Sequence, residues 1–135
     1  MIAQARYKVN FYDTDAMAVV HHANYIRWFE IGPVEFLRQA GITLNELMAD
    51  GYVFPITDVQ ATFLAPGKFD DELLIEAMPA QLTKAKMAFD YRILRAADGI
   101  VLVTGHTQNV FTYRDTGRIA RLPEKYYAKL QAVLK

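Results

Sequence analysis

The chain has 135 residues, a length typical of one domain, and 53% of them are apolar, which is enough to form a hydrophobic core. Acidic and basic residues number 15 each, and no run of like charges favours binding to nucleic acid or insertion into a membrane surface. The absence of cysteine excludes disulfides, thiolate metal sites and a cysteine nucleophile. No segment has the roughly 18 consecutive apolar residues of a membrane-spanning helix, and the N-terminus does not resemble a secretory signal, so we predict a soluble cytoplasmic protein.

The first elements that we predict along the chain are a strand and a long helix. Tyr7–Tyr12 alternates weakly between apolar and polar residues, which indicates a strand that ends at the polar cluster Asp13–Asp15. Apolar residues then recur at helical intervals over Asn24–Ala40. Asn24 is the expected N-cap of this helix and Gly41 its expected stop.

The helical region contains one signal for a break and is followed by a second, short helix. Pro33 has no N–H to donate to the Phe29 carbonyl, so we expect a kink or a break near Gly32. Thr43 and Glu46 have the spacing of a capping box, which predicts a helix that ends at residue 48 or 49.

The rest of the chain favours strands. Four runs have strand-like patterns: Tyr52–Leu64, Asp71–Met78, Lys86–Ala96 and Ile100–Tyr113. Asp98 and Gly99 indicate an antiparallel hairpin between the last two, and Pro123 is placed to begin a final amphipathic helix. The order predicts one α+β domain over residues 1–135, with a five-stranded antiparallel sheet around one long helix. Because one helix cannot cover so much apolar sheet surface, we expect at least a dimer.

Two carboxylates, Asp13 and Asp15, precede the turn that leads into the long helix. Free N–H groups at the start of a helix can stabilise a carbonyl oxygen as it becomes an oxyanion, while a nearby carboxylate attacks the carbonyl or activates water. These are the parts that a thioester hydrolase needs. An Asp-x-Asp pair at a turn more often caps backbone N–H groups, so the residues alone leave both interpretations open.

The segment resembles the start of the 4-hydroxybenzoyl-CoA thioesterase family of hotdog-fold proteins, which includes the acyl-CoA thioesterases associated with the Tol-Pal system. The family pattern is roughly D-x-D-x-x-G-x-V-x-x-x-x-Y, followed by an aromatic and acidic helix. The residues at its positions here are Asp13, Asp15, Val20 and Tyr25, and Trp28–Glu30 and Glu35–Arg38 resemble the rest of the helix. The predicted order of strands agrees as well, so the resemblance covers nearly the whole chain.

The resemblance implies a hotdog fold and hydrolysis of an acyl-CoA to free acid and CoA, with no metal or other cofactor, in a homodimer or homotetramer with active sites at subunit interfaces. Asp15 would be the catalytic carboxylate, acting as nucleophile or as general base. The backbone N–H of His22, seven residues later, would polarise the thioester carbonyl. Tyr25, Val20 and Ala18 would contact the substrate. Ala18 replaces the usual glycine, which would alter the turn if the position needs a positive φ.

Other interpretations stay open. His21 and His22 could form a metal site only if both adjacent rings reached one ion, which is unusual, although either could act as a general base. Glu30 or Glu35 could be the catalytic group, as in another branch of hotdog thioesterases. The alternative function is a hotdog protein that binds acyl-CoA or an acyl carrier protein without hydrolysing it. Basic residues near predicted strand ends are candidates for the CoA phosphates: Lys84, Lys86, Arg114, Arg118 and Arg121.

Overall fold

The main element of the fold is a five-stranded antiparallel sheet. The computed structural model describes residues 3–135. In their order across the sheet, the five strands are β1 (Ala3–Lys8), β4 (Glu72–Leu82), β5 (Lys86–Arg95), β6 (Val101–Val110) and β3 (Ile56–Phe63). A separate two-stranded pair joins β2 (Tyr52–Val53) to β7 (Thr112–Tyr113). The helices are α1 (His22–Trp28), α2 (Ile31–Gln39), α3 (Leu44–Ala49) and α4 (Glu124–Val133). The predicted α+β class, with a five-stranded antiparallel sheet and a C-terminal helix, is confirmed.

The two faces of the sheet differ in polarity, as the sequence of β5 shows. Met87, Phe89 and Ile93 are buried on the face that the helices cover, where the ring of Phe36 from α2 meets Phe89 edge-on with 5.6 Å between centroids. Arg92 lies on the opposite face and forms an ion pair with Glu76 of the neighbouring strand β4. Burial of the apolar face against α2 therefore stabilises the sheet. Within residues 3–135, no helix is long and apolar enough to cross a membrane.

The first strand lies earlier than the sequence predicted. We predicted Tyr7–Tyr12, but the strand is Ala3–Lys8, and Phe11–Asp13 forms a 3-10 turn. The carboxylate of Asp13 accepts a hydrogen bond of 2.8 Å from the backbone N–H of Asn10, which closes this turn. The short alternating pattern was therefore overridden by a local bond between side chain and backbone.

The predicted long helix, Asn24–Ala40, is two helices. The break lies at Phe29 and Glu30, close to Gly32, so the predicted break is confirmed. Pro33 falls in the first turn of α2, where its missing N–H costs nothing. Because Pro33 has no N–H to donate to the carbonyl of Phe29, this carbonyl accepts a 3.0 Å hydrogen bond from the N–H of Gly32 instead.

The cap of the first helix also differs from the prediction, whereas that of α3 agrees with it. His21 is the N-cap of α1, and its Nδ1 accepts the N–H of Ala23. Asn24, which we predicted as the cap, lies inside the first turn of α1. Thr43 and Glu46 form the predicted capping box at the start of α3. An imidazole thus supplies the cap where sequence preferences favoured the asparagine.

The predicted strands are confirmed with changed boundaries. Tyr52–Leu64 is interrupted at residues 54–55, where Pro55 has no N–H for the ladder, and the last strand is interrupted at Phe111. β5 and β6 pair antiparallel as expected, but four residues, 96–99, connect Arg95 to Ile100 rather than a two-residue turn. Gly99 has φ +72° at the end of this loop.

The break between α1 and α2 allows Phe29 to lie flat against the sheet. Its ring stacks on Tyr91, with 4.3 Å between centroids and an interplanar angle of 19°. The ring also covers Gly105 of β6, where a Cβ atom would overlap Phe29 and come within 3.0 Å of the Gln60 carbonyl oxygen. The close approach of helix and sheet therefore requires glycine at position 105.

The turn before α1 contains a strained backbone conformation. Ala18 has φ +61°, in the left-handed region that L-residues other than glycine disfavour. Its N–H donates to the Asp15 carbonyl at 3.0 Å, and the N–H of Asp15 donates to the Val19 carbonyl at 2.9 Å. Position 18 therefore needs the positive φ that glycine adopts most readily, yet this chain has alanine there.

Replacing Gly105 with alanine is expected to lower the free energy of unfolding by about 2 kcal/mol, because the added methyl group displaces Phe29 from the sheet. Denaturant unfolding measures the change. Thr104→Ala, at the adjacent exposed position, is the control and should stay within about 0.5 kcal/mol of the wild type. Equal stability of Gly105→Ala and wild type would contradict the packing described for Phe29.

Replacing Ala18 with glycine is expected to raise the free energy of unfolding by about 1 kcal/mol, because relief of the left-handed strain exceeds the entropy that glycine adds to the unfolded chain. Thermal and denaturant unfolding both report this change. Ala16→Gly, two residues earlier in the same turn, lacks a positive φ and should be neutral or destabilising. If Ala18→Gly lowers the free energy of unfolding as much as Ala16→Gly does, the interpretation of strain at position 18 is wrong.

Candidate active site

A cavity of about 360 Å³ lies between the start of α1 and the end of β3. One side is formed by the turn and the helix, with Asp15, Val19, Val20, His22 and Tyr25, and the other by the segment Phe63–Pro66. Four of the five residues that the resemblance implied for catalysis or substrate contact therefore line one cavity. The fifth, Ala18, is exposed on the turn and is not among the lining residues.

Asp15 is half-buried at the edge of this cavity. Its Oδ1 accepts a 2.8 Å hydrogen bond from the N–H of Met17, an Asx-type turn that fixes the side-chain direction. Its Oδ2 has no hydrogen-bond partner among residues 3–135. The carboxylate is thus held through one oxygen, while the residue lines the cavity.

Asp13 is almost fully buried, at 4% exposure, and joins three elements. Its Oδ2 accepts hydrogen bonds from the Tyr7 hydroxyl at 2.7 Å and from the backbone of Asn10 at 2.8 Å. Its carbonyl accepts the N–H of His21 at 2.9 Å and the side-chain amide of Asn24 at 2.8 Å. Burial and the bond to Asp13 raise the pKa of Tyr7 to about 12, so Tyr7 remains a donor at neutral pH. For Asp13 the structure therefore supports the capping interpretation, one of the two that the residues alone left open.

The first residues of α1 present a free donor. The N–H of His22 has no acceptor within the described part of the chain, whereas that of Ala23 is capped by His21. The rings of His21 and His22 stack with 4.3 Å between centroids, and His22 also meets the edge of Phe63 at 6.1 Å. A hydrogen-bond donor and the Asp15 carboxylate are thus both available at one cavity.

The opposite wall of the cavity is attached to α1 by Tyr25. The buried hydroxyl of Tyr25 accepts the N–H of Gly67 at 3.1 Å, and the Gly67 carbonyl accepts the N–H of Val20 at 2.8 Å. A Cβ atom at position 67 would lie 2.9 Å from the Tyr25 hydroxyl, so this approach requires glycine. Burial raises the pKa of Tyr25, which keeps the hydroxyl neutral. The sequence gave no indication of this contact, because 42 residues separate the two partners.

The alternative catalytic glutamates lie elsewhere, whereas His22, which could act as a general base, lines the cavity with Asp15. Glu30 lines a separate, mainly apolar cavity of about 530 Å³ near the start of β3. Glu35 forms an ion pair with Arg38 on the surface of α2. His106 bonds to Asp90 across β5 and β6, at 2.8 Å. Neither the two glutamates nor His106 lines the cavity that contains Asp15.

None of the basic residues that we predicted for the CoA phosphates is among the residues that line this cavity. Lys86 pairs with Val110 at the C-terminal end of β6, whereas Phe63, which lines the cavity, pairs with Val103 near the other end of that strand. Lys84 forms an ion pair with Glu124 of α4 at 2.9 Å. A different lysine, Lys68, is close to the cavity, because its backbone forms a bridge with Val19.

Comparisons with known proteins identify relatives over most of the chain. Residues 9–130 match the model of the thioesterase-like superfamily. The acyl-CoA thioester hydrolase YbgC of Escherichia coli O6:H1 is 30% identical over 94 residues, which cover 70% of each chain. The solved structure of the hypothetical protein TT1821 from Thermus thermophilus is 33% identical, with a TM-score of 0.85 over 96% of this chain and 97% of that one.

A further structure supports the fold. A 4-hydroxybenzoyl-CoA thioesterase variant, solved in complex with 4-hydroxybenzoyl-CoA, superposes with a TM-score of 0.84 at 20% identity, over 96% of this chain and 98% of that one. At this identity the similarity shows the fold only. Together with the match over residues 9–130, it confirms the resemblance seen in the sequence. The chain belongs to the thioesterase-like superfamily and has the hotdog fold.

Proposed function

We propose that this protein is an acyl-CoA thioesterase, which hydrolyses an acyl-CoA to a free acid and CoA. The observation that carries the proposal is that Asp15 and His22 line the same cavity, and that one carboxylate oxygen and one backbone N–H of these residues have no hydrogen-bond partner among residues 3–135. The names of relatives support this reaction class, since YbgC is named an acyl-CoA thioester hydrolase. Superfamily membership alone would not specify the reaction.

The proposed mechanism places the thioester carbonyl between the two groups. As charge develops on the carbonyl oxygen, the N–H of His22 donates a hydrogen bond to it. In one route, Asp15 attacks the carbonyl carbon, the C–S bond breaks, CoA leaves as the thiolate, and water then hydrolyses the acyl anhydride. In the other, Asp15 takes a proton from water, whose oxygen adds to the carbonyl carbon before the C–S bond breaks. Both routes need the ionised carboxylate.

The remaining cavity residues suit an apolar acyl group. Val20 and Tyr25 form the inner wall, and Phe63 and Leu64 form the outer one at 49% and 58% exposure. An acyl group at this place would be covered by the inner wall, while the outer wall would leave it partly exposed to solvent. The proposed substrate contacts of Val20 and Tyr25 are therefore with the acyl group, and Ala18 contributes to the shape of the turn.

We also propose that a second copy of the chain completes the site. β3 is an edge strand with only β6 beside it, and its apolar side chains Ile56, Val59 and Phe63 are between 37% and 52% exposed. An unpaired apolar edge is a favourable surface for another strand. Because Phe63 belongs both to this edge and to the cavity, a partner strand at β3 would lie beside the acyl group. A dimer is the minimum assembly, and a tetramer of such dimers is compatible with it.

Three further expectations accompany this proposal. Hydrolysis through Asp15 and His22 uses only side-chain and backbone groups, so we propose that neither a metal nor another cofactor takes part. The proposed partners are acyl-CoA and further copies of the chain, not nucleic acid or a membrane. A cytoplasmic location, where acyl-CoA is formed and used, stays a prediction.

Replacing Asp15 with asparagine is expected to lower kcat for a hydrolysed acyl-CoA by about a hundredfold or more, because asparagine keeps the shape but cannot act as nucleophile or base. The measurement is release of free thiol from short-chain, long-chain and aromatic acyl-CoAs. Asp115→Asn makes the same chemical change on the surface and should leave the rate unaltered.

The outcomes separate the candidate functions. Full activity of Asp15→Asn would show that Asp15 is not the catalytic residue and would direct attention to Glu30 and Glu35. If the wild type releases no thiol from any substrate but binds acyl-CoA, the non-hydrolytic binding protein is the better description. Binding to neither acyl-CoA nor an acyl carrier protein would exclude both functions.

Replacing Val59 with lysine is expected to convert the dimer to a monomer, because a charge at the centre of β3 disfavours pairing with a second edge. Sedimentation velocity at micromolar concentration measures the change. Ile119→Lys places the same charge at another exposed apolar position, 70% exposed, and should leave the dimer intact. A monomeric wild type, or a dimeric Val59→Lys variant, would contradict assembly through β3.

A further inference from the structure

Two exposed aromatic rings lie next to the turn that carries Asp15. Phe11 is 77% exposed and Phe69 is 51% exposed, and their rings meet edge-to-face with 6.0 Å between centroids. Large apolar side chains in contact on the surface mark binding sites more often than single exposed ones. We call these two rings, together with Lys68, the aromatic surface.

Both rings are attached to fixed backbone. Phe69 lies in a turn in which the N–H of Lys68 donates to the Asp71 carboxylate at 2.9 Å and the N–H of Asp71 donates to the Lys68 carbonyl at 3.0 Å. Asp71 is held in turn by Arg95 at 3.3 Å. Phe11 begins the 3-10 turn that Asp13 closes. Because the rings are nearly perpendicular, a flat ligand could stack on one of them and place its edge against the other, with little loss of backbone entropy.

The aromatic surface also has a positive charge without a partner. Lys68 is exposed and forms no ion pair with a carboxylate in the part of the chain that the structure covers. The neighbouring charges of Lys8 and Asp70 compensate each other at 3.7 Å. An uncompensated ammonium group beside exposed rings suits a ligand that combines a phosphate with a flat aromatic base.

The aromatic surface adjoins the candidate active site. Lys68 forms a backbone bridge with Val19, which lines the cavity, and Gly67 is bonded to Val20. A ligand whose reactive end is in the cavity would therefore pass Val19 and reach Lys68 directly. CoA has this shape, because a pantetheine arm separates its thiol from an adenine nucleotide with three phosphates.

We propose that Phe11, Phe69 and Lys68 bind the nucleotide end of CoA, with the adenine stacked on the Phe69 ring and its edge against Phe11, and with a phosphate at the Lys68 ammonium group. This inference rests on the proposed thioesterase function, since CoA is chosen as the ligand for that reason. It assigns the phosphate contact to a residue outside the group of basic residues that the sequence suggested.

The test compares two substrates that share an acyl group, an acyl-CoA and the corresponding acyl-pantetheine, which lacks the nucleotide. For Phe69→Ala and for Lys68→Gln, kcat/KM with acyl-CoA should fall about tenfold, mainly through KM, as expected for loss of one stacked base or one phosphate contact. With acyl-pantetheine both variants should stay within about twofold of the wild type. Ile119→Ala and Lys129→Gln are matched controls at exposed positions and should change neither substrate.

Two results would overturn the proposal. Equal losses with both substrates would show that these residues act on the reacting end, and no loss with either would place the nucleotide elsewhere. Calorimetric titration of CoA and of pantetheine into the same variants gives a readout that does not need turnover. If the wild type hydrolyses neither substrate, the thioesterase function fails, whereas weaker binding of CoA to Phe69→Ala, with pantetheine unaffected, would still support the nucleotide surface.

Discussion

The buried carboxylate of Asp13 is the interaction on which the candidate site depends. Its side chain joins the end of β1 to the 3-10 turn through Tyr7 and Asn10, and its carbonyl joins that turn to the start of α1 through His21 and Asn24. A buried carboxylate is stable only when it is well bonded, so these contacts must form together. The position of Asp15 relative to the N–H of His22 follows from them.

The second constraint is that two aromatic side chains approach the backbone so closely that only glycine fits at the points of contact. Gly67 lets the Tyr25 hydroxyl reach the backbone that faces Asp15 across the cavity, and Gly105 lets Phe29 lie on the sheet. Ala18 shows the opposite case, since it has the positive φ of a glycine and keeps a methyl group there. The site therefore combines a well-packed wall with a strained turn, an arrangement common where backbone geometry serves binding or chemistry.

The same geometry explains why one chain provides an incomplete site. The inner wall of the cavity is buried, but Phe63 and Leu64 on β3 are about half exposed, and β3 is an unpaired edge. Exposed apolar groups on an edge strand favour association, so the feature that leaves the acyl region open also favours its closure by another copy. Assembly and substrate binding would then depend on the same strand.

The sequence by itself determined the α+β class, the approximate strands, the capping box at Thr43 and the residues of the Asp15 segment, because these depend on local periodicity and short spacings. Only the structure decided the bounds of β1, the exact residues of the break between α1 and α2, and the His21 cap, because the hydrogen bonds that Asp13 and His21 form with the backbone replace those expected from residue preferences. The contacts of Gly67 with Tyr25 and of Lys68 with Val19 are also visible only in the tertiary structure. More than 40 residues separate the partners in each case, so no local sequence pattern predicts these contacts.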